Sequence, residues 1–100
     1  MEVRFGTDQL RRAYEDKRVR TRAWGEVIAR LYVRRVDTLY AAETMQTLRA
    51  ITSLHLHALK GDLKGKYAID LDNAYRLILT FEGRHMTIVR VEEVSHHYGD

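Results

Sequence analysis

The apolar residues of this chain change period partway along it, and that change limits the folds open to it. Trp24, Ile28, Leu31, Tyr32, Val36, Leu39 and Tyr40 recur at spacings of three and four, the repeat of one helix face. From Leu54 onward the repeat is two. Tyr67, Ile69 and Leu71 alternate with Ala68, Asp70 and Asp72; Tyr75, Leu77, Leu79 and Phe81 alternate with Arg76, Ile78, Thr80 and Glu82; Met86 to Val94 forms a further run. A segment of helical period does not settle as a strand, nor the reverse, so helices come first and a sheet follows.

Proline is absent, so the boundaries are read from glycines and capping residues. Glu2-Val3-Arg4-Phe5 alternates as a short strand before Gly6, and Thr7 or Asp8 then caps a first helix running to about Asp16. Lys17 to Arg20 interrupts it, and Thr21 caps the longer helix. Ala41 to Ile51 adds a helical turn or two through Met45 and Leu48. Asp72-Asn73 and Glu82-Gly83 supply tight-turn chemistry, which pairs the later strands as an antiparallel meander, and Leu54-His55-Leu56-His57 adds a strand before it. The expected fold is α+β: N-terminal helices packed on a twisted, mainly antiparallel sheet of four to five strands, in one domain over residues 1–100.

Function classes narrow by exclusion. No apolar stretch approaches the ~20 residues of a membrane span and no charged-then-apolar leader opens the sequence, so a soluble cytoplasmic protein is expected. Without cysteine there is no disulfide, thiolate nucleophile or cysteine zinc site. Residues 1–50 carry 11 basic and 7 acidic groups against 6 and 7 in residues 51–100, so the positive charge sits in the helical half. Thirteen of the seventeen cations are arginine, whose planar fork suits phosphate. Arg18, Arg20 and Arg22 cluster near a helix junction, either as a solvated face or as a contact for RNA.

The densest polar stretch runs from Leu56 to Tyr67, where Gly61 and Gly65 bracket Asp62 and Lys64, with Lys60 and Lys66 outside them. Such a loop lets backbone and ammonium groups approach a phosphate, although an ordinary hairpin with solvated lysines has the same composition. His55 and His57, with His85, His96 or His97, contain the donors for a histidine metal site. Histidines two apart on strands are common without metal, and neither metal nor cofactor is expected.

Taken together, Leu56-His57-Ala58-Leu59-Lys60-Gly61-Asp62, Gly65-Lys66-Tyr67-Ala68-Ile69, Ala74-Tyr75-Arg76-Leu77-Ile78 and Val91-Glu92-Glu93-Val94 resemble the HigB toxins of the RelE/ParE superfamily, closely over residues 54–98. The resemblance implies a small α+β toxin that cleaves messenger RNA in the ribosomal A site and is held inactive by a cognate antitoxin of the helix-turn-helix DNA-binding kind. It places His57 and Lys60 at the active site with Arg76 beside them. Metal-independent RNA cleavage needs the 2′-hydroxyl deprotonated, the phosphorane charge stabilised and the 5′-oxygen protonated, tasks that histidine, lysine and arginine divide among themselves. His57 is then the acid or base; Lys60 and Arg76 hold the scissile phosphate, with Lys64 and Lys66 as further phosphate contacts.

The C-terminal segment departs from the family pattern. Glu93 matches the acidic position, but Val94 and Ser95 stand where tyrosine and histidine are usual, and His96, His97 and Tyr98 follow slightly later. These three are therefore added as catalytic candidates. Ala58 and Tyr75 stand where proline and tryptophan are common. Two alternatives share the scaffold: a ParE-like gyrase poison without nuclease chemistry, and a degenerate toxin that only binds its antitoxin. For that antitoxin, the rim of the Trp24 helix and the Lys60 to Lys66 loop are the expected docking surfaces.

Overall fold

The computed structural model describes residues 1–96. Its elements run β1 (Glu2–Phe5), α1 (Asp8–Glu15), α2 (Lys17–Ala41), α3 (Met45–Ala50), β2 (His57–Ala58), β3 (Tyr67–Asp70), β4 (Tyr75–Glu82) and β5 (Ile88–His96). The five strands form one sheet in the order β1-β5-β4-β3-β2, antiparallel throughout except that β1 runs parallel to β5. The expected α+β architecture is therefore present, with five strands and one parallel pair.

Strand alternation divides the sheet into two faces. Ile69 on β3, Leu77 and Leu79 on β4, and Val89 and Val91 on β5 are buried against Ile28, Tyr32, Val36 and Leu39 of α2 and Leu10 and Ala13 of α1. Asp70, Arg76, Ile78 and Thr80 therefore point to the opposite face. Tyr32 is fully buried, and its hydroxyl donates to the Leu10 carbonyl at 2.7 Å, tying α2 to α1. Burial raises its phenol far above the usual range. On the rim, the Tyr14 hydroxyl donates to Asp37 at 2.5 Å and its ring lies 5.7 Å from that of Tyr40.

Four local expectations are corrected. The long helix begins at Lys17, not at a Thr21 cap, because the Asp16 carboxylate accepts the Arg18 amide at 2.9 Å and draws residues 17–20 into the helix. The break falls instead at Gly25, whose φ of 82° and ψ of 169° belong to a region open in practice only to glycine. The turn or two expected over residues 41–51 does not continue α2, which ends at Ala41 with Ala42 extended as its cap; it forms the separate α3, which Thr44 caps by accepting the Thr47 amide. Leu54 to His57 is not a regular strand. Leu54 closes a 3-10 turn (Thr52–Leu54) to reach the core, His55 reverses the chain at φ 52°, and pairing with β3 begins only at His57.

Gly25→Ala is expected to destabilise the fold by ~1–3 kcal/mol from backbone strain, since an added Cβ there meets no neighbour within 4 Å. Thermal unfolding should register this as a fall in Tm of several degrees. A second expectation concerns alkali. The hydrogen bond to Asp37, helped by burial, pushes the Tyr14 phenol from 10.0 up to about 12, so its contribution to stability is whole below pH 10 and is lost as the pH rises through about 12. Denaturant titrations across this window should show a shallower loss in Tyr14→Phe.

Candidate active site

β3 and β4 pair so that Asp70 faces Arg76, and β2 pairs with β3 so that His57 faces Ala68. Directly opposed residues share a face, so His57, Asp70 and Arg76 all stand on the side away from the helices. Here they line a cleft of about 360 Å³ together with His55, Asp72, Asn73 and Tyr75. The Asx turn between the strands builds one wall: the Asp72 carboxylate accepts the amides of Ala74 and Tyr75 at 2.8 and 2.7 Å. At the other wall, the rings of His55 and His57 stack with centroids 4.6 Å apart.

The protonation pattern of His57 follows from its neighbour. Its Nδ1 lies 2.8 Å from the His55 carbonyl oxygen. A carbonyl only accepts, so Nδ1 carries the proton and Nε2 is the nitrogen left for proton transfer when the ring is neutral. Asp70 Oδ2 lies 3.5 Å from His55 Nδ1, a contact between two exposed side chains that is an ion pair when the imidazole is protonated. Among the described residues Arg76 makes no ion pair with a carboxylate, and its buried Nε finds no acceptor. A guanidinium held at a cleft without a protein counter-ion suits an anionic ligand.

The remaining candidates fall elsewhere. Lys60 and Lys64 are exposed and Lys66 half-buried in the loop beyond β2, and none of the three lines the cleft. Gly61 and Gly65 in that loop both take positive φ, 64° and 96°, which explains glycine at these positions. Glu93 shares the Arg76 face as its diagonal neighbour on the adjacent strand, ~7 Å away, but the register His57–Ala68–Ile78–Glu93 sets it three strand spacings, ~14 Å, from His57. His96 pairs with Tyr75 on the opposite face, its ring edge-on to the tyrosine at 4.9 Å. His97 and Tyr98 lie outside the described residues. Arg20 donates to the Ala13 and Tyr14 carbonyls at the end of α1. With Lys17, Arg30 and Arg34 it lines a second cleft of about 380 Å³ across the Gly25 break. Arg18 and Arg22 line the groove beside it. Among the described residues, no three histidine, aspartate or glutamate side chains group as a metal site, and no helix is long and apolar enough to cross a membrane.

Sequence reasoning missed Asp70 and Asn73 as cleft residues and read Asp72 only as a turn. The alternation of β3 and β4 already placed Asp70 and Arg76 on one side of their strands; the missing information was the register that sets them opposite each other.

A five-stranded mixed sheet with helices packed on one face is the architecture of RelE/ParE-superfamily toxins. Solved structures share the fold: a YoeB/ParE toxin from Agrobacterium tumefaciens superposes with a TM-score of 0.59 at 16% identity, over 98% of this chain and 100% of that one. A YafQ mutant from E. coli gives 0.58 at 15% identity over 95% and 91%. The toxin–antitoxin complex RelBE2 from Mycobacterium tuberculosis gives 0.52 at 19% over 96% of each. Residues 3–93 match the family described as RelE-like toxin of type II toxin-antitoxin system HigB, and the chain belongs to that family. No curated protein matches it.

In ¹⁵N spectra recorded with the imidazoles neutral, His57 is expected as the Nδ1–H tautomer. A dominant Nε2–H form would remove the base assigned to that nitrogen.

Proposed function

We propose that this toxin is a ribosome-dependent endoribonuclease, acting in the cytoplasm as a single domain over residues 1–100. It cleaves messenger RNA in the A site, with side chains alone moving the protons. The observation that carries this reading is the convergence of His57 and Arg76, 19 positions apart in sequence, on one cleft, where the neutral imidazole presents Nε2 and the Arg76 Nε has no acceptor among the described residues. His57 exchanges a proton with the 2′-hydroxyl or the 5′-oxygen, and Arg76 grips the scissile phosphate and the charge that develops on it. Lys60, three residues beyond His57 on an exposed loop, closes on the same phosphate once RNA is bound; Lys64 and Lys66 extend the cationic rim. Glu93 remains a candidate for the second proton transfer, with His96, His97 and Tyr98 as neighbours in sequence.

The second basic cleft fits the same reading. Among the described residues, Arg18, Arg20 and Arg22, with Lys17, Arg30 and Arg34, form no ion pair with a carboxylate, whereas Arg4, Arg11 and Arg90 do. Glu26 is the one carboxylate among the described residues lining these two grooves, so the cations outnumber it and attract a polyanion by counterion release, here ribosomal RNA. A cognate antitoxin of the helix-turn-helix DNA-binding kind is the partner that keeps the toxin silent. Solved relatives are recorded as toxin–antitoxin assemblies, among them a YoeB-YefM complex from Staphylococcus aureus.

The test is 5′-end mapping of cellular transcripts after a brief pulse of wild-type protein, beside Lys60→Ala and Arg76→Ala. New ends at fixed positions within codons are expected, falling about a hundredfold in either variant, as for removal of one oxyanion donor. Growth arrest with unchanged transcript ends would move the target to gyrase or another protein.

A further inference from the structure

Asp70 and Arg76 are register partners on the same face of β3 and β4, a juxtaposition that brings Cβ atoms to about 5 Å and ordinarily ends in a carboxylate–guanidinium pair. Here the pair is not made. The Asp70 carboxylate turns to His55 at 3.5 Å, and the Arg76 guanidinium keeps an orphaned Nε. His55 reaches Asp70 only because the residue sits at φ 52° at the end of the Thr52–Leu54 turn, its amide bonded to the Thr52 carbonyl at 3.1 Å, and its ring braced on His57. The other carboxylate in the cleft, Asp72, is occupied by backbone amides. Arg35 approaches Asp70 from α2: its Nε donates to the backbone carbonyl at 2.8 Å and its charge is felt by the carboxylate, but it makes no ion pair with it, and the ring within ion-pair distance of the carboxylate is that of His55.

We infer that His55 is a positioning residue: by holding Asp70, it keeps the carboxylate facing Arg76 from neutralising that guanidinium, and so keeps the cleft open to a phosphate-class oxyanion. The inference rests on the reading of Arg76 as a phosphate clamp and adds a residue that touches neither substrate nor the reacting atoms. Without the His55 side chain, the Asp70 carboxylate swings to its register partner and the protein supplies its own anion. The groups facing His55 are Asp70, Asp72, His57, Tyr75 and Arg76. Of these, Asp70 alone is a carboxylate that can exchange between His55 and Arg76 without unmaking a turn.

The experiment titrates inorganic phosphate into the protein and follows the Arg76 Nε–H signal in ¹H–¹⁵N spectra, with phosphate affinity from calorimetry or competition where that signal is deleted. His55→Gly, which keeps the left-handed backbone, and His55→Asn, which tolerates it, are expected to bind phosphate about fivefold more weakly, the scale of a partly exposed ion pair. In an Asp70→Asn background, His55→Gly should have no effect. An unchanged affinity in both His55 variants, or a loss that persists in the Asp70→Asn background, overturns the inference; the latter would make His55 a direct phosphate contact or a purely structural residue. Arg76→Ala separates the two levels. Undiminished phosphate binding in that variant would sink the clamp reading itself, whereas lost binding there with an inert His55→Gly would sink only the role of His55.

Discussion

The middle strand, β4, is the element whose register cannot move. Leu77 and Leu79 are fully buried under the helices, so a slip of one residue would turn both to the opposite face and drive the half-buried Arg76 guanidinium toward the core. Burial on one face therefore fixes chemistry on the other. The same hydrogen-bond ladders that seat Leu77 beside Ile69 also set Arg76 opposite Asp70 and Ser95. The site needs no dedicated scaffold beyond the alternation of a strand that must already be in place to close the core.

That coupling explains what was legible in the sequence. Strands β3, β4 and β5 declare themselves because their alternation is driven by burial of one side, and the face of Arg76 follows from counting in twos from Leu77. His57 was found through a word of sequence that resembles a family, not through local physics, since β2 is only two residues long. His55 was legible as a histidine but not as the holder of Asp70, because its left-handed backbone depends on Leu54 being drawn into the core. Glu93 is diagonal to Arg76 across the β4–β5 ladder, yet three strand spacings of sheet lie between it and His57, so the ladder sets it beside one member of the site and far from the other.

In the helical half the errors have a shared origin. Asp16 and Thr21 are both capable caps, and only the packing of α1 against α2, sealed by the Tyr32 hydroxyl on the Leu10 carbonyl, decides which one is used. Gly25 looks tolerable inside a helix by composition, but it is where the chain must turn so that residues 26–41 can lie along the sheet. The turn also separates two cationic helix segments around a shared hollow lined by Lys17, Arg20, Glu26, Arg30 and Arg34.

The parallel pairing of β1 with β5 joins Glu2–Phe5 to Ile88–Val91 across nearly the whole length of the chain. Contacts of such separation form late, because the closure entropy of the intervening chain must be met before they stabilise anything. During synthesis β1 has no partner in the sheet until residues 88–91 have left the ribosomal tunnel. Val89 and Val91, which complete the core beneath the helices, are missing for the same interval. Strands β2, β3 and β4 can pair among themselves, but the sheet is not complete, nor the core beneath the helices closed, until residues 88–91 are in place.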